Sequence, residues 1–364
     1  MTLMTDEQAR TGANIPQRVH LIGIGGAHMS AIARILLARG YDVSGSDLRA
    51  SPTLDELSRA GARVWIGGHD ASHVRNAELV VATAAATSAN PEIVAAQELG
   101  LTVLSRAQMV ARLIAGKRTL AVAGTHGKTT TTSLAIAVVR EAGLDPTFLV
   151  GGDVVGLETN AAHGDGPIAI IEADEYAHAF LEYAPEIAIV TNVEPDHIDY
   201  FGSFDEIRRA FHDFPTRVQR DGRAIVCADS PHLLEIMEDL RRTGEPGTTF
   251  ETYTLGRERQ AEWRAVDIER DEDGQSFTVE RAGEAFLRAR ITLPGRHAVA
   301  NALAVVAATH ALGIDSASIE RGLLAARGAH RRFDRHGQVC GIAVYDDYAH
   351  HPTEIRATLH AARE

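Results

Sequence analysis

Short apolar runs that end in glycine or polar residues alternate with longer amphipathic stretches along most of this chain. That is the pattern of buried parallel strands connected by helices. From Arg18 to Asp47 the apolar VHLIGI, the turn GGAHMS, the helical run AIARILLARG and then YDVSGSD predict strand, glycine turn, helix and strand, a right-handed βαβ unit with a parallel pair. Further short units run to about Ala115: ARVWIGG, AELVVATAA, a helix through PEIVAAQELG, and LTVLSRAQMVARLI. The stretch TLAVAGTHGKTTTT predicts a buried strand, a glycine loop and a helix over 129–142, closed by Gly143 as a C-cap. Buried strands are expected at 168–171, 187–190 and 223–228. Alternation across 251–290, with acidic turns at 271–274, predicts a small antiparallel excursion. A tight turn and an alanine-rich helix follow in LPGRHAVANALAVVAATHALG. GAHRRFDRHG reads as a basic linker, and GIAVYDDYAHHPTEIRATLHAARE as a new strand and helix.

A chain of 364 residues is long for one domain and suggests two or three. Residues 1–17 read as a polar tail rather than a signal peptide, since Asp6, Glu7 and Arg10 interrupt any apolar stretch. The formal charge of −13 excludes a general nucleic-acid surface, so any phosphate must be met by local loops. No run approaches the ~18 apolar residues of a membrane span. Cys227 and Cys340, each beside an apolar strand-like run, are expected to be reduced core thiols of a cytoplasmic protein. The sequence carries no signal for an oligomeric state.

The chemistry concentrates in Gly124, Thr125, His126, Gly127, Lys128, Thr129 and Thr130. Backbone N–H groups of such a loop and the helix behind it favour an anion, Lys128 adds a mobile charge, and the Thr129 hydroxyl can ligate Mg²⁺. The spacing departs from G-x-x-x-x-G-K-[ST], because Val122 stands where the first glycine is usual. Only two of the 36 Lys+Arg residues are lysines, Lys117 and Lys128, so a chain that otherwise uses arginine keeps a slender point charge here. The strand at 168–171 delivers Glu172, Asp174 and Glu175, carboxylates suited to Mg²⁺ beside ATP phosphates. The strand at 187–190 delivers Asn192, Asp196, His197 and Asp199, with His197 a metal ligand or phosphate contact. Arg296, His297 and Asn301 are placed to face a base or phosphate.

In the first unit Gly23, Gly25 and Gly26 form a phosphate turn, and Asp47 ends the second strand where dinucleotide folds hold a ribose. His28 fills the third glycine's place, which disfavours NAD and leaves a pyrophosphate-bearing ligand. His69 and Arg106 follow strands, at the ends where open α/β sheets bind ligands.

Taken together, HLIGIGGAHMS, SGSD, NPEIVAA, AGTHGKTTTT, GLDPTF, IEADE, TNVEPDHID, PGRH, RRFD and DDYAHHPTE resemble the Mur ligase family over essentially the whole chain. Within it they resemble the branch that joins L-alanine to UDP-N-acetylmuramate in peptidoglycan synthesis. The resemblance implies an α/β fold with a Rossmann-like N-terminal domain over 18–115, a central P-loop ATPase α/β domain over 116–335, and the start of a third Rossmann-like domain over 336–364. It implies Gly25 and Gly26 at the UDP diphosphate, Asp47 and His69 near the uridine, with Arg106 among the substrate contacts. Lys128 and Thr129 would hold ATP phosphates and Mg²⁺, Glu172 and His197 the metal, Asn301 the adenine, Arg332 the γ-phosphate and Asp347 the ribose. The implied reaction runs through an acyl phosphate.

Four departures from the family pattern stand out: His28 for glycine, Ala177 for aspartate, Ala298 for the asparagine of GRHN, and a third domain that 336–364 only begins. The chain is therefore expected to bind UDP-sugar and ATP but to ligate poorly or not at all. No lysine follows Lys128, so the carbamylated lysine of related ligases is absent. Two alternatives stay open: the ligase that recycles a tripeptide onto the UDP-sugar, and a non-catalytic nucleotide-binding fragment.

Overall fold

The computed structural model describes residues 15–243 and 248–363, so most of the expected polar tail lies outside the described residues. Two compact units emerge. The first comprises residues up to Lys117 with 147–151 and 160–167; the second comprises 118–146, 152–159 and 168 onward.

In the first unit β1 (Arg18–Ile22), α1 (Ala27–Ala38), β2 (Asp42–Asp47), α2 (Pro52–Arg59), β3 (Arg63–Ile66), β4 (Leu79–Ala82), α3 (Pro91–Glu98), β5 (Thr102–Ser105) and α4 (Arg106–Leu113) follow one another. The sheet order is β3-β2-β1-β4-β5, parallel throughout. Leu21, Ile22, Val80 and Val81 are fully buried in its centre, as strands covered on both faces require. The helices start on side-chain caps that the sequence supplies: Ser51 accepts from the Leu54 N–H, Asn90 from the Glu92 N–H, and Ser105 forms a capping box with Gln108. The chain order reverses between β1 and β4, so the carboxyl ends of these strands open a crevice.

The second unit runs from β6 (Arg118–Ala123) and α5 (Lys128–Glu141) through β7 (Thr147–Val154) and β8 (Thr159–Ala162), which the units share, to β9 (Ile168–Glu172) and β10 (Ile187–Val190). Then come α6 (Ile198–Phe201), α7 (Phe204–Thr216), β11 (Arg223–Cys227), α8 (Pro231–Thr243) and β12 (Thr249–Leu255). The remainder comprises β13 (Trp263–Asp271), β14 (Gly274–Arg281), β15 (Glu284–Ile291), α9 (Arg296–Ala311), α10 (Ser316–Ala325), β16 (Asp334–Val339), β17 (Ile342–Asp346) and α11 (Pro352–Arg363). Within this unit the sheet order is β15-β14-β13-β12-β11-β10-β6-β9. Strands β12 to β9 are parallel, and the expected antiparallel excursion is β13 to β15. Its first expected strand, β12, instead continues the parallel sheet and pairs parallel with β13 as well. Helix α9 is buried at Ala298 and Val299 and then continuously from Asn301 through Thr309, because its small alanine side chains let it press closely against the sheet.

Two expectations change. The 328–337 stretch is more than a linker: its end forms β16, which pairs with β17 in an antiparallel ribbon. Cys227 is buried as expected, but Cys340 is exposed. It sits in the turn of that ribbon at φ +51°, where Val339, Ile342 and Val344 are also exposed, so local apolarity there does not mean a core.

Candidate nucleotide site

The phosphate loop is held by backbone geometry and by the strand beside it. Gly124 adopts φ +138°, and a Cβ there would collide with Thr191 Oγ1; Gly127 caps α5 at φ +79°. Both positions therefore require glycine. Asn192 braces the loop twice, its Oδ1 accepting from the His126 N–H at 2.8 Å and its Nδ2 donating to the His126 carbonyl at 3.1 Å. Thr191 Oγ1 donates to that carbonyl at 2.6 Å, and Thr125 Oγ1 accepts from the Glu194 N–H at 2.9 Å. Behind the loop, Thr132 and Ser133 donate to the carbonyls of Lys128 and Thr129 at 2.8 Å, which lets a threonine run enter a helix despite its low propensity.

Lys128 Nζ lies 2.9 Å from Glu175 Oε2 and also donates to the Thr125 carbonyl at 3.2 Å. Burial would lower its pKa, but Glu175, Asp174 and Glu172 outweigh it and raise the ammonium above its ordinary value. Glu175 is equally deep, and burial together with Asp174 pushes its carboxyl up against the pull of Lys128. Thr129 Oγ1 donates to Glu172 Oε1 at 3.2 Å. Of the three acidic residues at the end of β9, then, Glu175 pairs with the lysine and Asp174 caps the Tyr176 N–H at 3.0 Å. Glu172, the last residue of β9, accepts the threonine hydroxyl. Two oxygens at that spacing fit a hard divalent cation. His197 caps α6 at φ +51°, its ring edge-on to Tyr176 at 5.3 Å. Ala177 also has positive φ, +57°, a conformation aspartate tolerates better than alanine.

Beside the loop opens a cleft of ≈ 600 Å³ whose lining includes His126, Gly127, Thr130, Asn301, Arg332 and Asp347. Asn301 reaches the loop from α9: a Cβ on Gly127 would lie 2.9 Å from its Oδ1. Ala298, in the GRHN position, lines the same cleft with His297. Arg332 Nη1 is 3.7 Å from Glu354 Oε1. Both Asp347 oxygens accept backbone N–H groups, of Phe333 at 2.7 Å and Ala349 at 2.8 Å. Cys227 also lines the cleft, and burial pushes its thiol up to about 11, so it is no nucleophile.

In the first unit the Gly25 N–H donates to Asp47 Oδ2 at 2.9 Å, and Gly26 precedes α1 as its N-cap. His69 Nδ1 meets Ser46 Oγ at 2.9 Å and Glu92 Oε2 at 3.1 Å. Arg106, buried at the start of α4, follows β5 at the opposite edge of the sheet from β3. Nothing in the sequence pattern announced Glu92 itself. It is fully buried, with His73 Nδ1 at 2.6 Å, Ser46 Oγ at 2.6 Å and His20 Nε2 at 3.6 Å. Its only outward signal was a glutamate in the first turn of a short helix.

A parallel α/β sheet whose central strand feeds a glycine loop, lysine and threonine defines a phosphate-loop nucleotide-binding protein. Family models for the Mur ligase family catalytic domain, the Mur ligase middle domain and the Mur ligase glutamate ligase domain match residues 18–118, 122–309 and 331–364. The chain belongs to the Mur ligase family. It is 45% identical over 351 residues to the UDP-N-acetylmuramate–L-alanine ligase of Symbiobacterium thermophilum, covering 96% of this chain and 72% of the relative. The crystal structure of the UDP-N-acetylmuramate-alanine ligase of Thermotoga maritima matches with TM-score 0.81 at 30% identity, over 95% of this chain and 77% of that one. A UDP-N-acetylmuramate:L-alanyl-γ-D-glutamyl-meso-diaminopimelate ligase from Neisseria meningitides matches at TM-score 0.77 and 31% identity, over 86% and 99%. Among the described residues no helix is long and apolar enough to cross a membrane.

Proposed function

We propose that this chain carries the ATP-dependent joining of L-alanine to UDP-N-acetylmuramate. The observation that carries the reading is the likeness, over 95–96% of this chain and 72–74% of theirs, to ligases of that name; it is supported by a phosphate loop whose Lys128 meets Glu175 and whose Thr129 meets Glu172. In this reading the γ-phosphoryl group of ATP passes to the lactyl carboxylate and ADP leaves. The alanine amine then attacks the acyl carbon, the C–O bond to phosphate breaks, and the amine gives up a proton. Carboxylate and phosphate are both anionic, so Lys128 must leave Glu175 and lie between them. Thr129, Glu172 and His197 would hold Mg²⁺, which supplies charge neutralisation at the phosphates.

Thr130, Asn301, Asp347 and Arg332 are assigned to the nucleotide, and Gly25, Gly26, Asp47, His69 and Arg106 to the UDP-sugar. Residues 336–364 are assigned to a third domain. ATP, a UDP-sugar and two free cysteines all suit the cytoplasm.

Binding is the first readout, because it does not depend on turnover. Calorimetry on the chain should show ATP–Mg²⁺ and UDP-N-acetylmuramate each binding, and whatever phosphate the chain releases should require both together with L-alanine. Binding of neither nucleotide would refute the reading. Phosphate release with the tripeptide but not with L-alanine would favour the recycling ligase that the Neisseria likeness brings in.

A further inference from the structure

We propose that His126, Glu194 and His351 form a binding site for a zinc-class divalent cation, separate from the oxygen pair of Thr129 and Glu172. It is the cluster of three possible metal-ligating His, Cys, Asp or Glu side chains found among the described residues, with donor atoms within 4.8 Å of one another. The proposal does not depend on the ligase reading.

The spacing fits a tetrahedral ion. His126 Nε2 lies 3.3 Å and His351 Nδ1 3.4 Å from the same Glu194 Oε2. Bonds of about 2.0–2.1 Å at the tetrahedral angle place neighbouring ligand atoms about 3.3–3.4 Å apart. The protonation pattern fits as well. His126 Nδ1 is 3.3 Å from Glu354 Oε1 and His351 Nε2 is 3.3 Å from the Pro195 carbonyl, so each outward nitrogen faces an acceptor and carries the hydrogen. The inward nitrogen of His126 then presents its lone pair, and His351 Nδ1 accepts the Thr353 N–H in a long contact of 3.3 Å that a bound cation would displace. The three donor atoms lie within 4.8 Å of one another, close enough for a single cation to bridge them. A carboxylate and a backbone carbonyl behind the ligating imidazoles are the outer partners that metal-binding histidines use to fix their tautomer.

The surroundings are also ordered for this task. Thr353 Oγ1 donates to Glu194 Oε2 at 2.6 Å, and the Glu194 backbone is tied to the phosphate loop through Thr125. Glu354, which orients His126, has Arg332 and His350 on its other sides. Two nitrogens and one oxygen suit zinc or cobalt far better than Mg²⁺, a hard cation that favours oxygen ligands. An ion held there joins the phosphate loop to the 351–354 turn through direct bonds and keeps a fourth position open.

Cobalt(II) tests the site by its own spectrum. The full chain, freed of metal by a chelator and titrated with Co²⁺ near neutral pH, should develop the intense visible band of a tetrahedral ion, saturating at one equivalent. Zn²⁺ should abolish the band and excess Mg²⁺ should not. Glu194→Gln and His351→Gln should each remove it or weaken Co²⁺ binding by more than about a hundredfold. Glu354→Gln, which takes away only the partner of His126, should weaken it by roughly ten- to a hundredfold. His197→Gln should leave it unchanged. Far-UV circular dichroism identifies any variant that fails to fold, and Glu354→Gln then carries the test. No tetrahedral band, or a band that survives Glu194→Gln and Glu354→Gln, overturns the proposal.

Discussion

Replacing Glu92 by glutamine should destabilise the first unit by about 3 kcal/mol at neutral pH, a difference that disappears across a definable acid window. Burial alone would raise this carboxyl, but the polar hydrogens of His20, Ser46 and His73 prevail and hold it at about 2 against an ordinary 4.5. At roughly 1.4 kcal/mol per pH unit that difference is worth about 3 kcal/mol, and full burial of the side chain leaves little solvent screening to discount. Because the folded value is depressed, the stabilisation is complete above pH 4.5 and is lost as pH falls towards about 2. Glu92→Gln keeps the shape and removes the charge, and turns one of the two acceptor oxygens shared by Ser46, His69 and His73 into a donor. Trp65 stacks on His73 with ring centroids 4.5 Å apart and reports this cluster directly. The second tryptophan, Trp263, lies in the other unit and can be changed to phenylalanine in parent and variant alike. Urea unfolding followed by Trp65 emission should show parent and variant separated at pH 7 and converging between pH 4.5 and 2. Coincident midpoints at pH 7, or a gap that persists unchanged to pH 2, would refute the reasoning.

Lys128→Ala should abolish ATP binding by calorimetry. It should also cost stability, roughly 3–5 kcal/mol, because Glu175 is left buried without its partner. Lys128→Ala with Glu175→Gln should recover most of that stability in urea and none of the binding, which separates the two roles of the lysine. Gly124→Ala should leave the sheet folded by circular dichroism yet weaken ATP at least tenfold, since its Cβ would press on Thr191 Oγ1; unchanged affinity would mean the loop is not the phosphate cradle.

The parallel sheets, the glycine turns of the loop and the meeting of Thr129 with Glu172 were legible because each depends on short-range rules. Apolar runs of strand length, glycines where φ must be positive, and an acidic strand end all appear within a few consecutive residues. The ribbon of β16 and β17 was half missed for the opposite reason. Its exposed Val339 and Ile342 imitate a buried strand, and the strand partner of 342–346 sat inside what read as a basic linker.

The polar clusters were illegible for a different physical reason, and it bears on where function hides in such a chain. Glu92 is surrounded by His20, Ser46, His69 and His73, contributed by β1, β2 and the segment after β3, so no window of sequence contains the set. His126 and Glu194 belong to adjacent loops of the sheet, but His351 enters from more than a hundred residues later. Periodicity locates backbone; it says nothing about which polar tips converge. Convergence is costly unless charges and hydrogen bonds are matched. At Glu92 the carboxylate is met by Ser46, His69 and His73, while the buried His20 Nε2, 3.6 Å away, makes no hydrogen bond; that cluster is explained as a structural brace beneath His69. At His126, Glu194 and His351 both inward ring nitrogens lie within 3.4 Å of one carboxylate oxygen, and the outward nitrogens face Glu354 and the Pro195 carbonyl. Two imidazoles on a single carboxylate oxygen, each with an outer partner to fix its tautomer, is the arrangement on which the metal proposal rests.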